Sequence, residues 1–566
     1  MFFKKIIKRS VIIGFLSFLP FSLTAENIKT PAEEVNYTSY TQYEEVSQFL
    51  SHIDNISDEM HVKIIGRTLE TREYPSKDIY LCIINKEKAE SPIGIDRSKP
   101  TFFIIASQHG NEQSAKEAAL LFIRDLTTGE LNNLLDEINF LIIPQANPYG
   151  NYFDNRRNEQ NLDMNRDHIK LETPGVRSIH HVFRRWMPEV TIDVHEKGND
   201  YYKVSIGCVS NINISPCFQK NSREHILADI EKKLKQKNIT FYEYLITQRM
   251  GIDSSAGVEY KSEDLVLEKY MKRYSTTDLN DGRNSLGIYE TFSFIQEIAS
   301  QHDLKTLKER SYWQYYGIKF MAESIVSHKD TILSQVRKKR KNLIDKAKTF
   351  SKEDVVHLRL KYARDKNEPE LVIKKYERSD TPILGIINKD KKAGDPLTRD
   401  DISSYTHPSE YKVVEETVQN WFPSVESIKS RPIPLGYIIP SEYQNVIETL
   451  LQHDIKVNLF TKDCTVNVES YTIEEIVEAE YDYLPPQKIG VEKNKHSTII
   501  KKGDFYIPCA QPGAHLISCL LEPESQYGLI RYWKFELVPE KDDIFPFYRY
   551  TESEKLPLLP YKNWER

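Results

Sequence analysis

Several short stretches of this chain carry residue types that bind metals, move protons or grip carboxylates. His109-Gly110-Asn111-Glu112 sets an imidazole and a carboxylate three residues apart. At a helix start the two converge on one ion, and this donor pair suits zinc. Thr191-Ile192-Asp193-Val194-His195 ends on a second histidine. Three protein ligands with one position left for water make a catalytic zinc site. Asp193 or Glu196 is placed to orient an imidazole from behind. Between the two stretches runs Arg156-Arg157-Asn158-Glu159-Gln160-Asn161-Leu162-Asp163-Met164-Asn165-Arg166-Asp167. Arginines in a polar loop beside a metal can fork a carboxylate. Farther on, Ser293-Phe294-Ile295-Gln296-Glu297 brings another carboxylate.

These residues need rigid elements behind them. Phe102 to Ala106 is a near-continuous apolar run, the mark of a strand buried on both faces, and Phe140 to Ile143, Val190 to Val194 and Phe292 to Ile298 are expected as three further strands. Ser114 and Glu117 form an expected capping box ahead of a helix with apolar face Ala118 to Leu126. A further helix is expected at Val176 to Trp186, so His180 and His181 point different ways and do not share an ion. Strands interleaved with helices predict an α/β fold. Its ligands belong in the crevice at the carboxyl ends of the strands, where His109 and His195 fall.

In order, HxxE, DxNR, a third ligand and a strand-borne glutamate resemble the carboxypeptidase A-like zinc metallocarboxypeptidases. The residues carrying this are His109 to Glu112, Asp163-Met164-Asn165-Arg166, His195 and Glu297. The resemblance implies a three-layer mixed sheet with helices on both faces. It implies one zinc ion on His109, Glu112 and His195. Glu297 becomes general base and then general acid, with Glu290 as its rival. Asn165 and Arg166 hold the substrate's C-terminal carboxylate. Arg157 polarises the scissile carbonyl, with Arg156 a close second. The capping tyrosine is expected at Tyr274, with Tyr260 and Tyr289 as rivals. The implied substrate is a peptide with a free C-terminal carboxylate. Related chemistries are cleavage of peptidoglycan stem peptides and deacylation of amino-acid conjugates. A reading of another class is a peptide- or cell-wall-binding module without catalysis. Gln511-Pro512-Gly513-Ala514 and Leu520-Leu521-Glu522-Pro523-Glu524-Ser525 are similar to a C-terminal β-rich extension of some bacterial exported members.

Composition narrows the alternatives. The chain has 566 residues, 39% hydrophobic and 28% charged, which excludes a collagen-like or disordered protein. A net charge of −6 argues against nucleic acid as a partner. The basic run Arg337 to Lys341 has no interleaved aromatics and is expected as a solvated helix face. There is no GxxxxGK[ST], GxGxxG or GxSxG pattern, so phosphate-loop, dinucleotide and nucleophile-elbow chemistry lack support.

Residues 1–25 pair a basic stretch (Lys4, Lys5, Lys8, Arg9) with a short apolar run and Leu23-Thr24-Ala25, the pattern of a signal peptide. The expected location is periplasmic or secreted, with no membrane span in the mature chain. Export permits disulfides among Cys82, Cys208, Cys217, Cys464, Cys509 and Cys519. The expected units are a zinc carboxypeptidase-like domain over 26–330, an α/β connecting region over 331–484 and a β-rich domain over 485–566. Val355 to Glu377 is expected as edge or hairpin strands, Pro485-Pro486 as a linker, and Leu516 to Leu521 and Tyr532 to Phe535 as strand. Side-chain preference at the cleaved residue and oligomeric state are not encoded in anything legible here.

Overall fold

The computed structural model describes residues 28–249, 252–253, 258–259, 270–300, 302–377, 384–386, 402–404, 412–477, 488–537 and 539–561. The signal-peptide segment, Tyr260 and Pro485-Pro486 lie outside them.

An eight-stranded mixed sheet forms the centre. Its strands are β1 (Met60–Arg67), β2 (Asp78–Ile84), β3 (Thr101–Ala106), β4 (Asn139–Ile143), β5 (Val190–Lys197), β6 (Val204–Cys208), β7 (Phe241–Glu243) and β8 (Phe292–Ala299), in spatial order β1-β2-β4-β3-β5-β8-β6-β7. The four expected strands become the adjacent strands β4, β3, β5 and β8, paired parallel to one another. Every residue of β3, β4 and β8 is buried. Such continuous burial needs helices on both faces. The helices are α1 (Tyr43–Ile56), α2 (Gln113–Thr127), α3 (Pro174–Trp186), α4 (Gly282–Gly287), α5 (Leu307–Ser327) and α6 (Lys329–Lys346). Helices α2 and α5 pack on each other and on the central strands, α3 packs against β1, and α4 packs on β5 and β8.

The expected Ser114–Glu117 capping box does not form. Glu112 occupies the N-cap of α2. The Ser114 amide instead donates to Glu196 Oε1 (2.9 Å), and Glu117 accepts from the amide and hydroxyl of Thr41. The helix start is therefore held by tertiary contacts that its local sequence does not contain.

A second, seven-stranded sheet fills the C-terminal region. Its strands are β9 (Gly436–Ile439), β10 (Asn458–Phe460), β11 (Cys464–Val477), β12 (Lys488–Ile500), β13 (Phe505–Pro508), β14 (Tyr548–Tyr550) and β15 (Leu558–Pro560). It begins at Gly436, so the β-rich unit reaches back across the expected boundary at 484/485. Helix α7 (Gln444–Gln452) lies within this stretch. Leu516 to Leu521, expected as strand, falls in helix α8 (Ala514–Leu521). Six buried residues, all apolar but Ser518, do not distinguish a buried strand from a buried helix. Trp533–Phe535 forms a 3₁₀ turn rather than a strand. Val355–Ala363 and Leu371–Tyr376 are strands, but they pair with Ser424–Pro432 and Val413–Val418 and not with each other.

The Leu-Glu-Pro-Glu-Ser stretch serves packing. Buried Glu522 accepts from Tyr437 (2.7 Å) and Tyr471 (2.7 Å) and forms an ion pair with Arg549 Nε (3.0 Å), while Glu524 pairs with Lys429 and Arg431. All six cysteines are free thiols. No helix among the described residues is long and apolar enough to cross a membrane.

Candidate active site and metal centre

Three strand ends and one loop converge above the sheet. β3 delivers His109 through Ser107, which takes a left-handed φ of 59°. Gly110 must be glycine. A Cβ there would lie 1.9 Å from the Gly150 carbonyl carbon and 2.3 Å from the Asn151 nitrogen. That close approach presses the loop after β4 against the metal-ligand turn. The first turn of α2 carries Glu112, and β5 carries His195.

His109, Glu112 and His195 are buried, with one ligand atom from each lying within 4.8 Å of the others. His109 Nδ1 is 2.8 Å from Glu112 Oε1, His195 Nδ1 is 2.8 Å from Glu112 Oε2, and the two Nδ1 atoms are 3.0 Å apart. Two nitrogens bound tetrahedrally to one zinc stand about 3.3 Å apart, so the trio fits the ion with small adjustments. The far ring nitrogens are already engaged. His109 Nε2 donates to Asp163 Oδ1 (3.1 Å), and His195 Nε2 lies 2.7 Å from Asp193 Oδ2. Carboxylates in those positions fix the tautomer and turn both Nδ1 lone pairs inward. Of the two expected orienting groups, Asp193 takes this part. Glu196 points through the opposite face of β5 to Arg310 (2.5 and 2.6 Å), as strand alternation requires.

Burial acts to raise the Glu112 carboxyl, but the two histidines outweigh it and hold it well below the carboxylate range. Asp163 follows the same pattern, with burial opposed by His109, Arg156 and Arg166. Both carboxyls are therefore held ionised, as ligation and support of a dication require.

Glu297 stands beside His195 in the β5–β8 register. Burial pushes its carboxyl up to about 7, against the pull of His195. Its rival Glu290 is elsewhere, accepting from Ser215 N (3.2 Å) and Oγ (3.0 Å). Asn165 Nδ2 lies 3.2 Å from His195 Nε2, and its Oδ1 accepts from Gly282 N (2.8 Å). Arg166 is exposed at the rim and donates to the Asn165 carbonyl.

Two expectations need correction. Arg157 is exposed and turned away, its Nη1 donating to the Asn161 carbonyl (2.8 Å). Arg156 is the one that faces the cluster, with Nη1 3.1 Å from His109 Nδ1 and 3.5 Å from Glu112 Oε1. Its Nε donates to Asp163 Oδ2 (3.0 Å). Adjacent loop residues face opposite ways, and the sequence does not say which faces in. Tyr274 is not at the site. Its hydroxyl donates to Glu368 Oε1 (2.7 Å), and its ring packs on Trp421 and under the Arg223 guanidinium. Tyr289 is buried against Phe183 and Arg184.

Sequence reasoning missed Tyr244. Its phenol is pushed well up by burial and by Glu297, whose carboxylate accepts its hydrogen bond. One tyrosine among 33, outside any motif, gives no signal of this. His168 also belongs to the surroundings. It is fully buried and joined to Gln108 Oε1 (3.0 Å) and His180 Nε2 (3.0 Å).

A zinc carboxypeptidase family model matches residues 46–189. Over this stretch the chain is zinc-carboxypeptidase-like. Carboxypeptidase 2 of Trichophyton tonsurans is 21% identical over 501 residues, covering 85% of this chain and 81% of that protein. Probable carboxypeptidase 2 of Trichophyton verrucosum is 24% identical over 478 residues, covering 81% and 80%. Among solved structures, a metallo-carboxypeptidase from Pseudomonas aeruginosa is 17% identical, covering 52% of this chain and 71% of that one, with a TM-score of 0.37. The matched segment holds His109, Glu112, Asn165 and Arg166, while His195 and Glu297 follow it. The zinc-carboxypeptidase-like region thus carries a metallopeptidase-like active site built on a His-Glu-His cluster, with a distinct β-rich region behind it.

Proposed function

We propose that the chain is an exported zinc carboxypeptidase that removes the C-terminal residue of a peptide. The observation that carries the reading is the convergence of His109, Glu112 and His195 beside Glu297, Asn165 and Arg156 on one face of the sheet. Zinc held by His109, Glu112 and His195 would acidify the attacking water and polarise the scissile carbonyl.

The protein's own groups supply the rest. Glu297 takes the proton from the attacking water and passes it to the leaving amine. Its burial helps, because a carboxylate lifted toward neutrality is a better proton carrier at physiological pH. Arg156 aims its guanidinium at the charge that develops on the carbonyl oxygen. Asn165 and Arg166, neighbours on the 3₁₀ turn Met164–Arg166, hold the free carboxylate of the substrate. A non-catalytic binding module has no use for a buried base at this position.

The test is mass spectrometry of a peptide library with mixed C-termini, incubated with zinc-loaded protein and with a chelated control. Chelator-sensitive loss of single C-terminal residues is the expected result. Intact peptides with zinc bound would turn the reading toward peptidoglycan stem peptides or acylated amino acids.

A further inference from the structure

The C-terminal β-rich region reaches the turn that carries Asn165 and Arg166. His453 follows α7 in that region and is fully buried. Its Nε2 donates to the Ile169 carbonyl (2.9 Å), 284 residues back in the chain. The Ile169 amide donates to Asn280 Oδ1 (3.1 Å), and Asn280 Nδ2 donates to the Tyr532 hydroxyl (2.5 Å). Buried Tyr527 donates to the Thr277 carbonyl (2.8 Å), in the same loop as Asn280. His453, Tyr527 and Tyr532 thus fasten two segments outside their own region. One is the chain just after Arg166. The other is the stretch Thr277 to Asn280, which leads into α4.

Both segments bear on Asn165. Helix α4 begins at Gly282, whose amide donates to Asn165 Oδ1 (2.8 Å). The turn itself, Met164–Arg166, is three residues of 3₁₀ helix, too short to fix its own geometry. At its start the Asp163 carboxylate ties it to His109 and Arg156. Past its end, Asp167 folds back on the amides of Glu172 and Thr173, and His168 joins Gln108. Ile169 comes next, with its amide held by Asn280 and its carbonyl by His453. Apolar packing joins two regions without directing either. A buried hydrogen bond to one backbone atom fixes that atom's place, and leaving it unmade costs free energy.

We infer that the β-rich region is a working part of the site, in which His453 and Tyr532 are positioning residues that aim Asn165 and Arg166 at the substrate's carboxylate. The inference rests on the carboxypeptidase reading for what the turn binds. A contact between a guanidinium and a carboxylate depends on geometry, and a turn released at one end loses that geometry. Glu297, Glu112 and His195 stand on β8, α2 and β5 instead. The clamp therefore acts on the grip on substrate and spares the groups that break the bond.

The test uses the zinc-loaded full chain and one peptide in two forms, with a free C-terminal carboxylate and amidated. His453→Leu should raise KM for the free acid about 10-fold, leave kcat within about twofold and move the amide little. His453→Gln keeps a donor for Ile169 and should hold KM within about twofold of wild type. Tyr532→Phe should raise KM for the free acid about threefold. It carries the test alone should His453→Leu fail to fold by circular dichroism. Hydrogen exchange without substrate reads the clamp directly. Amides of residues 164–171 should exchange about 10-fold faster in His453→Leu, with those of β5 unchanged. Equal effects on both peptides overturn the inference, as does exchange unmoved at 164–171. So does a His453→Gln protein as impaired as His453→Leu. Faster exchange in the variant, with no peptide hydrolysed by the wild type, keeps the clamp and sinks the carboxypeptidase. Hydrolysis by the wild type with KM unmoved in His453→Leu and Tyr532→Phe sinks the clamp.

Discussion

Glu297 and His195 are direct partners across the parallel β5–β8 pair, so sheet register alone sets the expected base beside a metal ligand. The adjacent residue, Gln296, points through the other face, where its Nε2 donates to Gln314 Oε1 (2.6 Å) on α5. Gln314 in turn donates to the His195 carbonyl (2.7 Å). The pair is clamped from below, because a one-residue slip of β8 would exchange Glu297 for an amide.

Glu297→Gln keeps the shape and removes the base. Zinc content should stay at one ion per chain, while kcat falls about 1000-fold. Metal analysis beside steady-state kinetics checks both halves. Turnover within a few-fold of wild type would remove Glu297 from the chemistry.

Arg156 and Arg157 give a contrast within one dipeptide. Arg156→Ala should cost about 100-fold or more in kcat, the usual loss for one oxyanion donor. Arg157→Ala removes a side chain that among the described residues is bonded to the Asn161 carbonyl, and should stay within about threefold. The reverse order would mean that the loop rearranges on binding.

Arg166→Ala should raise KM for a peptide with a free carboxylate and leave its amidated twin little changed. A carboxylate-specific loss of about 10- to 100-fold matches one charge-assisted contact. Equal losses on both peptides would count against an exopeptidase.

Half of the eight strands of the central sheet were legible, because their apolar residues cluster and the segments end on polar chemistry. The runs at Phe102, Phe140, Val190 and Phe292 became four adjacent parallel strands. Residues held by local spacing, such as His109 and Glu112, were legible as well. What failed was decided by tertiary contact. Glu117 was diverted from its expected cap to Thr41, and Arg156 was turned inward in place of Arg157. Leu516 to Leu521 carries no periodicity to separate strand from helix. Tyr244 matters only because the fold brings its hydroxyl to Glu297, a relation between distant residues that no local window contains.

Asp163 joins the metal cluster to the substrate loop. It accepts from His109 Nε2 and Arg156 Nε, and from the Asn165 amide that opens the turn toward Arg166. Asp163→Asn should weaken zinc binding about 10- to 100-fold, read by competition with a chelating dye. It should also lower kcat beyond what zinc repletion restores, because Arg156 loses its anchor. Full recovery on adding zinc would limit Asp163 to the metal.

The last prediction concerns acid. His453 lies at the end of α7, fully buried, with Nε2 donating to the Ile169 carbonyl (2.9 Å) and its ring edge-on to His180. Burial pulls its pKa down to about 4, and burial likewise holds His180 well below its ordinary value. Both are neutral in the fold and titrate near 6.5 once unfolded. Between those values the unfolded chain binds more protons, so stability is full above about pH 6.5 and falls as the pH drops. His453 alone should cost about 2 kcal/mol by pH 5. Denaturant unfolding from pH 8 to pH 5, run with chelator so that metal loss does not contribute, measures this. His453→Gln keeps a donor for Ile169 and cannot take a proton, so its stability should decline less steeply. Parallel declines for the two proteins would show that His453 is not among the groups responsible.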